Sequence, residues 1–180
     1  MPFIYATAVT LNGFLADPQH SLDWLFAVPH DQSAAPTPQH TALVMGSHTY
    51  EWLLQHEELL AQPHKWQQFF GEKPVFVFST RPLPTPQGAN VQILRGPVAE
   101  HLPTITEAAA GGTVWIQGGG DLAGQFLAAG ALDEIVLDVA PVALAGGAPV
   151  LPREVLWPRL RLVEVGQHGE FARLRWRVEP

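Results

Sequence analysis

A set of three short apolar runs limits the fold more than any other feature of the sequence. Each run is followed directly by a segment that is no longer continuously apolar. The runs are TALVM (41–45), KPVFVFS (73–79) and GTVWIQ (112–117). Their cores are almost continuously apolar, which is typical of strands that are covered on both faces in a parallel sheet. Because parallel neighbours need crossover connections, the pattern predicts an α/β fold.

The segments that follow these runs complete three strand-to-helix units. They are GSHTYEWLLQ (46–55), TRPLP (80–84) and GGGDLAGQFLAAG (118–130). In the last segment Leu122, Phe126 and Leu127 fall at helical spacing, and Gly130 suits a left-handed position at the end of a helix. We therefore expect each strand to be followed by a helical segment.

The remaining elements place this sheet inside one domain that spans residues 1–180. Apolar strands are predicted at 3–9 and within 133–144, and a capped helical turn is predicted to start at Ser21. Residues 160–178 alternate in polarity around GQHGE, which is typical of an antiparallel hairpin. The predicted fold is an α/β sandwich with a mostly parallel sheet and an antiparallel C-terminal hairpin.

Composition excludes several classes of function. The chain has 10 Lys and Arg against 17 Asp and Glu, a net charge of −7, which argues against a nucleic acid or an anionic membrane as partner. It has no cysteine, so thiolate catalysis and cysteine-ligated metals are excluded. Its eight histidines show no metal-ligand spacing, and no apolar stretch approaches the ~20 residues that span a bilayer. We expect a cytoplasmic protein without a metal.

The predicted units bring small and hydroxyl residues to one edge of the sheet. In open α/β sheets, ligands bind beyond the carboxyl ends of the strands, where helix N-termini present free N–H groups and a partial positive charge. The three consecutive glycines are the strongest signal, because a phosphate can approach bare backbone closely. The candidate anion-binding residues are Gly46, Ser47, His48, Thr49, Ser79, Thr80, Arg81, Gly118, Gly119 and Gly120.

A different nucleotide site is also compatible with the glycine run. GGGDLA fits the pattern G-x-G-x-x-A, and Asp138 lies 20 residues beyond Gly118, as in a dinucleotide-binding fingerprint. That unit normally begins a domain and is followed by more strands. Here only a hairpin follows, so the fingerprint remains the alternative.

Five ordered motifs resemble the dihydrofolate reductase superfamily. Within it they are most similar to the branch with the reductase domain of riboflavin biosynthesis (the RibD C-terminal domain) and its stand-alone relatives. The resemblance spans nearly the whole chain and implies a three-layer α/β/α sandwich. The motifs are TLNGFLA (10–16), VMGSHTYEWL (44–53), VFVFSTRPL (75–83), the segment 114–152 and the closing segment 160–178.

The resemblance implies a reductase that binds NADPH along the sheet edge and transfers hydride to a pterin, a pyrimidine or a similar conjugated heterocycle. By motif, the residues that would receive cofactor phosphates are Gly46, Ser47, His48 and Thr49. The loop that would hold the adenosine end contains Ser79, Thr80 and Arg81. The pyrophosphate and nicotinamide-ribose segment matches Gly118, Gly119, Gly120, Asp121 and Leu122, and in this family its first two glycines are commonly joined by a cis peptide.

The chain departs from the family pattern at Ser47. The family usually has an arginine at this position, after the glycine that matches Gly46, and that arginine would pair with the 2′-phosphate. Arg81, or His48 when it is protonated, could supply the missing charge. Otherwise selectivity for NADPH weakens by the ~1.5–3 kcal/mol of a lost charge-assisted hydrogen bond.

The candidates on the substrate side are Asn12, Trp24 and Asp31. Asn12 stands where riboflavin-type reductases commonly have an aspartate, which puts their sugar-phosphate substrate in doubt. Asp31 has the nearest spacing to the buried carboxylate of dihydrofolate reductases, and a solvated loop residue is its alternative interpretation. Trp24 either walls the substrate pocket or belongs to the core. We expect an NADPH-dependent reductase, and an inactive nucleotide-binding module of the same fold is the alternative. The resemblance also implies a homodimer with the C-terminal hairpin as its interface.

Overall fold

An eight-stranded β-sheet forms the centre of the computed structural model, which describes residues 1–29 and 38–180, and two short strands pair separately. In chain order the strands are β1 Phe3–Thr10, β2 Phe14–Ala16, β3 Ala42–Gly46, β4 Val75–Phe78, β5 Val91–Leu94, β6 Val114–Gly118, β7 Glu134–Ala140, β8 Ala148–Pro149, β9 Leu160–His168 and β10 Phe171–Val178. The helices are α1 Asp23–Phe26, α2 Ser47–His56, α3 His64–Phe70, α4 Val98–Ala108 and α5 Gly120–Ala128.

The large sheet is parallel except at one end. Its strand order is β5-β4-β3-β6-β1-β7-β10-β9. The first six strands are parallel to their neighbours, whereas β10 is antiparallel to both β7 and β9. This topology confirms the predicted α/β fold with an antiparallel C-terminal hairpin.

Two apolar cores, one on each face of the sheet, make the fold a three-layer sandwich. Buried residues of α4 and α5, among them Ile105 and Phe126, pack on one core with Val114 and Ile116 of β6. Buried residues of α2 and α3 pack on the other core with β3 and β4. Helices that follow neighbouring strands therefore lie on opposite faces, and their N-termini meet at one edge of the sheet.

The interpretation of TRPLP (80–84) as a helical unit is wrong. Residues 79–90, all of which the structure describes, contain no helix and lead directly into β5. Pro82, Pro84 and Pro86 account for this, because proline lacks an N–H donor and disfavours the helical conformation of the preceding residue. Burial raises the pKa of Tyr50 to about 12, and its hydroxyl donates to the carbonyl of Pro84 at 2.8 Å, which fixes the loop against α2.

Among the elements of four or more residues, α3, β5 and α4 lie where the sequence analysis makes no prediction. Helix α4 contains Pro103, which weakens its helical signal in the sequence. Its buried residues Val98 and Ile105 nevertheless pack in the same core as α5. Tertiary packing therefore outweighs the local preference of proline here.

The helices are short, and the longest in the described residues, α4, has 11 residues. Within residues 1–29 and 38–180 no helix is both long enough and apolar enough to cross a membrane. In the same part of the chain, no three His, Asp or Glu side chains come together in an arrangement that could hold a metal ion.

A buried ion pair joins the C-terminal hairpin to the parallel part of the sheet. Arg173 of β10 lies opposite Asp138 of β7, and its Nε and Nη2 atoms donate to the two carboxylate oxygens at 2.8 and 3.0 Å. The side chains of Arg173 and Asp138 are 15% and 6% exposed. A bidentate pair of this kind fixes both the register and the orientation of β10.

Strand β9 forms one edge of the sheet and leaves apolar side chains uncovered. Leu162, Val163 and Val165 are 55%, 45% and 67% exposed. Successive side chains of a strand point to opposite faces, so both faces of β9 are apolar and open. Long exposed apolar edges are rare in monomers because they pair with other chains.

We predict that Asp138→Asn destabilises the fold by about 3–5 kcal/mol, because it leaves a buried guanidinium without its carboxylate. Glu164→Gln is the matched control: its carboxylate lies 3.6 Å from Arg175 and is 49% exposed, so its loss costs about 0–1 kcal/mol. Urea unfolding of both variants measures the difference. Equal, small losses would contradict a structural role for the buried pair.

Candidate functional site

Two helix N-termini meet at the carboxyl edge of the sheet. Strands β3 and β6 are parallel neighbours, and α2 and α5 begin directly after them. Gly46 and Gly119 are the N-cap residues, and no side-chain hydrogen bond caps either helix in the described chain. The first N–H groups of a helix have no partner within it, so two sets of free donors with partial positive charge face the same edge.

These N-termini line one cleft of about 620 Å³. Two sequence-predicted segments form opposite parts of its wall, one from each helix start. The predicted residues that the structure brings together there are Gly46, Ser47, His48, Thr49, Gly119, Gly120, Asp121 and Leu122. The arrangement suits an elongated ligand with negatively charged groups near its middle.

The three glycines serve different structural purposes. Gly118 has a φ of 128°, and its peptide bond to Gly119 is cis, as the resemblance implies. A Cβ on Gly120 would overlap the carbonyl oxygens of Pro149 and Val150, so this glycine allows the 148–152 segment to pack on α5. A Cβ on Gly119 would meet no atom within 4 Å. Gly119 is thus the glycine of the run that leaves open space in the cleft.

The sheet opens between β1 and β6 beside this cleft. Strand β1 pairs with β6 only from Phe3 to Tyr5, although it pairs with β7 as far as Thr10. The indole Nε1 of Trp115 donates to the carbonyl of Ala6 at 3.0 Å, where the strand ladder has ended. The gap lies at the carboxyl half of both strands, directly before the glycine run.

Gln117 lies at this gap with an unsatisfied polar atom. It is half-buried, and its Oε1 atom is buried without a hydrogen-bond partner among the described residues. An amide carries both a strong acceptor and a strong donor, and leaving one of them buried and unpaired is costly. The sequence analysis missed Gln117, and its signal was a polar residue at the end of an otherwise apolar strand.

The segment that follows β1 contributes a second wall that the sequence analysis also missed. Its residues in the cleft are Leu15, Ala16, Gln19, His20 and Leu22, which face Trp52 and Gln55 of α2.

This second wall is held by the short pairing of β2 with β8, which brings Ala148 and Pro149 to the cleft. Gly147 allows the pairing, because a Cβ there would overlap the carbonyl oxygen of Ala16. A glycine pair at 146–147 was the available signal.

The loop after β4 lies beside the cleft and reaches it through Glu51. Ser79 is buried, and its hydroxyl bonds to both the carbonyl and the N–H of Arg81, at 2.8 and 3.0 Å. Thr80 is exposed. Arg81 Nη2 lies 2.8 Å from a carboxylate oxygen of Glu51, which lines the cleft, and this hydrogen bond raises the pKa of Arg81.

The second carboxylate in the cleft also has a partner. Asp121 accepts hydrogen bonds from Gln125 at 3.0 Å and from Arg153 at 2.8 Å, and these bonds lower its pKa. Gly124 makes room for Arg153, because a Cβ there would approach the arginine side chain to 2.8 Å. The negative charge in the first turn of α5 is therefore balanced by a cation beside it.

Of the predicted substrate-side residues the structure describes Asn12 and Trp24, and neither lines the cleft. Asn12 is exposed and binds Leu144, through its Nδ2 to the carbonyl at 2.6 Å and its Oδ1 to the N–H at 3.1 Å. Trp24 is buried with Val28 and Phe171, and its Nε1 donates to the carbonyl of Leu15 at 3.3 Å. Asp31 lies outside the described residues.

The alternative dinucleotide fingerprint lacks its acidic residue. Asp138 is 4% exposed on β7, and both of its carboxylate oxygens accept hydrogen bonds from Arg173. Strand β1 separates β7 from β6 in the sheet. Asp138 therefore stabilises the hairpin and is not available to a ribose beside the glycine run.

Comparison with known proteins agrees with this geometry. The family model of the RibD C-terminal domain matches residues 3–172. The chain belongs to the RibD C-terminal domain family. The uncharacterised protein YwjB of Bacillus subtilis (strain 168) is 27% identical to this chain over 172 residues, which cover 94% of this chain and 93% of YwjB.

Solved structures share the fold of this RibD C-terminal domain. A protein from Shewanella sp. PV-4, whose assignment to riboflavin biosynthesis is itself provisional, superposes with a TM-score of 0.80 at 23% identity, and both chains are covered to 100%. Dihydrofolate reductase from Enterococcus faecalis, in complex with NADP(H) and RAB-propyl, superposes with a TM-score of 0.58 at 13% identity and coverage of 99% and 97%. At these identities the likeness shows the fold.

We predict that Gly120→Ala destabilises this RibD C-terminal domain by about 1–3 kcal/mol, because the new methyl group would overlap backbone carbonyls. Gly119→Ala is the matched control: it meets open space at a φ of −80°, so we expect a change of no more than about 0.5 kcal/mol. Thermal unfolding of both variants gives the comparison. Two equally stable variants would show that the 148–152 segment does not pack on α5 as described.

Proposed function

We propose that the protein is an NADPH-dependent reductase that transfers hydride to a pterin, a pyrimidine or a similar conjugated heterocycle. One observation carries the proposal: two helix N-termini without side-chain caps, at neighbouring strands, line the same cleft. This arrangement fits a dinucleotide, whose charged diphosphate lies between two flat ring systems.

The coenzyme's diphosphate would be held by backbone N–H groups rather than by a cluster of cations. Gly119, Gly120 and Leu122 line the cleft from α5, and Ser47 and Thr49 line it from α2. The carboxylates of the cleft would repel an anion, but Glu51 is paired with Arg81 and Asp121 with Arg153. Local pairing thus lets a protein of net charge −7 accept an anionic ligand.

The reacting rings would lie at the gap between β1 and β6. The gap adjoins the glycine run, and the cores on both faces of the sheet surround it with apolar side chains. Bound NADPH would supply the hydride. The protein would hold the two rings face to face and exclude water, and positioning of this kind accounts for much of the rate acceleration in such enzymes.

Gln117 supports a heterocycle with polar edges as the substrate. Its Oε1 is buried outside the lining of the cleft and lacks a partner among the described residues, and an N–H group of a substrate ring would satisfy it once the ring enters the gap between β1 and β6. Asn12 has no acidic proton, and both ends of its amide bind Leu144. The proton for the reduced ring therefore comes from water or from another acid, for which Asp31 remains the candidate.

We also propose that the functional unit is a homodimer in which a second copy covers β9. The uncovered apolar side chains of the edge strand, Leu162, Val163 and Val165, lie on both faces of the sheet. Leu156 and Trp157 extend the apolar surface before β9 and are 66% and 79% exposed. Pairing with a second chain would bury this surface and complete the edge.

We predict that the protein binds NADPH with micromolar affinity and that Gly119→Ala weakens binding about tenfold without loss of stability, because the methyl group would hold the diphosphate away from the N–H groups. Calorimetric titration measures affinity, and NADPH oxidation with a panel of pterins and pyrimidine precursors of flavins measures turnover. Tight binding without any oxidation would favour the inactive nucleotide-binding module. Failure to bind NADPH would contradict both functions.

For the dimer, Val165→Lys should give a monomer, because a charge in the buried centre of an apolar interface is costly. Phe69→Lys is the control: Phe69 is 52% exposed on α3, outside the proposed interface, and the variant should stay dimeric. Light scattering coupled to size-exclusion chromatography distinguishes the two states. A monomeric wild-type protein would overturn the proposed assembly.

A further inference from the structure

Two histidines form a stacked pair on the wall of the cleft. His20 comes from the segment between β2 and α1, and His48 comes from the first turn of α2. Their ring centroids are 5.1 Å apart, and the ring planes differ by 7°. Both residues line the cleft and are exposed to it. The pair thus joins the two walls that enclose the proposed coenzyme site.

The imidazoles differ from three carboxylates nearby, Asp17, Glu51 and Asp121, because each of these carboxylates already has a partner. Asp17 accepts hydrogen bonds from the N–H groups of Gln19 and Ser21 at 2.9 and 2.8 Å. Glu51 is paired with Arg81, and Asp121 with Arg153, both at 2.8 Å. Asp23 lies in the first turn of α1. The N–H of His20 donates to the carbonyl of Asp17 at 3.0 Å, but among the described residues neither the imidazole of His20 nor that of His48 makes a hydrogen bond or an ion pair.

An anion next to a stacked pair of imidazoles favours protonation of both rings. Two neutral rings stack without repulsion, whereas two protonated rings at this distance repel each other. A phosphate monoester at the edges of the two rings would offset the repulsion and accept a hydrogen bond from each ring. Binding of such a group would therefore be coupled to uptake of protons by the pair.

We propose that His20 and His48 together bind a phosphate monoester and make its recognition dependent on pH. This inference rests on the proposed function. It names the residues that would supply the positive charge for which the family usually has an arginine at the position of Ser47. Two sources have the required chemistry: the 2′-phosphate of NADPH, and a phosphate carried by the substrate. In either case the histidines replace a permanent cation by one that exists only at lower pH.

The direction of the pH dependence follows from the two ionisations. An ordinary imidazole has a pKa of about 6.5, and the second ionisation of a phosphate monoester lies near 6. Between about pH 6.5 and 8.5 a phosphate monoester is mostly dianionic throughout, while an ordinary imidazole loses its proton. Phosphate binding therefore weakens as the pH rises over this range.

The test measures the affinities of NADPH and NADH by calorimetry across this range. We expect the preference for NADPH over NADH to fall about tenfold from about pH 6.5 to 8.5, because charge-assisted hydrogen bonds are lost. In the double variant His20→Asn, His48→Gln the preference should stay low at every pH. Asparagine tolerates the φ of 61° at His20, and glutamine suits a helix.

Two further variants serve as controls. His56→Gln changes a histidine of the same helix that does not line the cleft, so it should behave as the wild type. Ser47→Arg introduces a guanidinium that stays charged at every pH tested, so it should restore a high preference for NADPH at about pH 8.5 and flatten the profile. A wild-type pH profile in the double variant would overturn the proposal.

A second titration, of ribose 5-phosphate into protein saturated with NADPH, separates the two sources. If the pH dependence, and its loss in the double variant, occur only in the titration with ribose 5-phosphate, the pair binds a substrate phosphate. If they occur in neither titration, the proposal is wrong. If both dinucleotides bind but neither titration depends on pH, the histidine inference alone is overturned, whereas failure of both dinucleotides to bind removes the proposed function as well.

Discussion

The parallel pairing of β3 with β6 is the constraint on which the rest of the site depends. Because the two strands run side by side and each is followed directly by a helix, α2 and α5 begin at the same edge on opposite faces of the sheet. Neither helix end is capped by a side chain in the described residues. The donors that a cap would have used remain available to a ligand, and the surrounding elements enclose them.

The charges around the cleft are arranged so that an anionic ligand can reach these N–H donors. An acidic chain would ordinarily repel a diphosphate, but Glu51 and Asp121 each lie beside an arginine. The positively charged arginine that the family usually has after the first glycine is Ser47 in this chain. Both arginines are therefore committed to neutralising the walls. The stacked imidazoles are the remaining groups in the described cleft wall that can gain positive charge without breaking an ion pair.

Local patterns in the sequence were sufficient to predict seven of the eight strands of the large sheet, all except β5, and the helix starts after β3 and β6. Continuous apolar runs identify β3, β4 and β6, and alternation identifies the hairpin, because burial and side-chain direction leave a direct trace in the sequence. The helix after β4 was predicted wrongly, since Pro82 and Pro84 prevent it. The wall from residue 15 to 22 has only a weak local signal, the glycine pair at 146–147, because it is placed by a two-residue strand pairing and by close packing at Gly147.

The most direct measurement is a crystal structure of the protein grown with saturating NADPH. The account predicts that the diphosphate oxygens lie about 3 Å from backbone nitrogens at the starts of both α2 and α5. It also predicts that the nicotinamide ring lies at the gap between β1 and β6. A cleft that stays empty, or that is filled by the protein's own side chains while the coenzyme binds elsewhere, would contradict it.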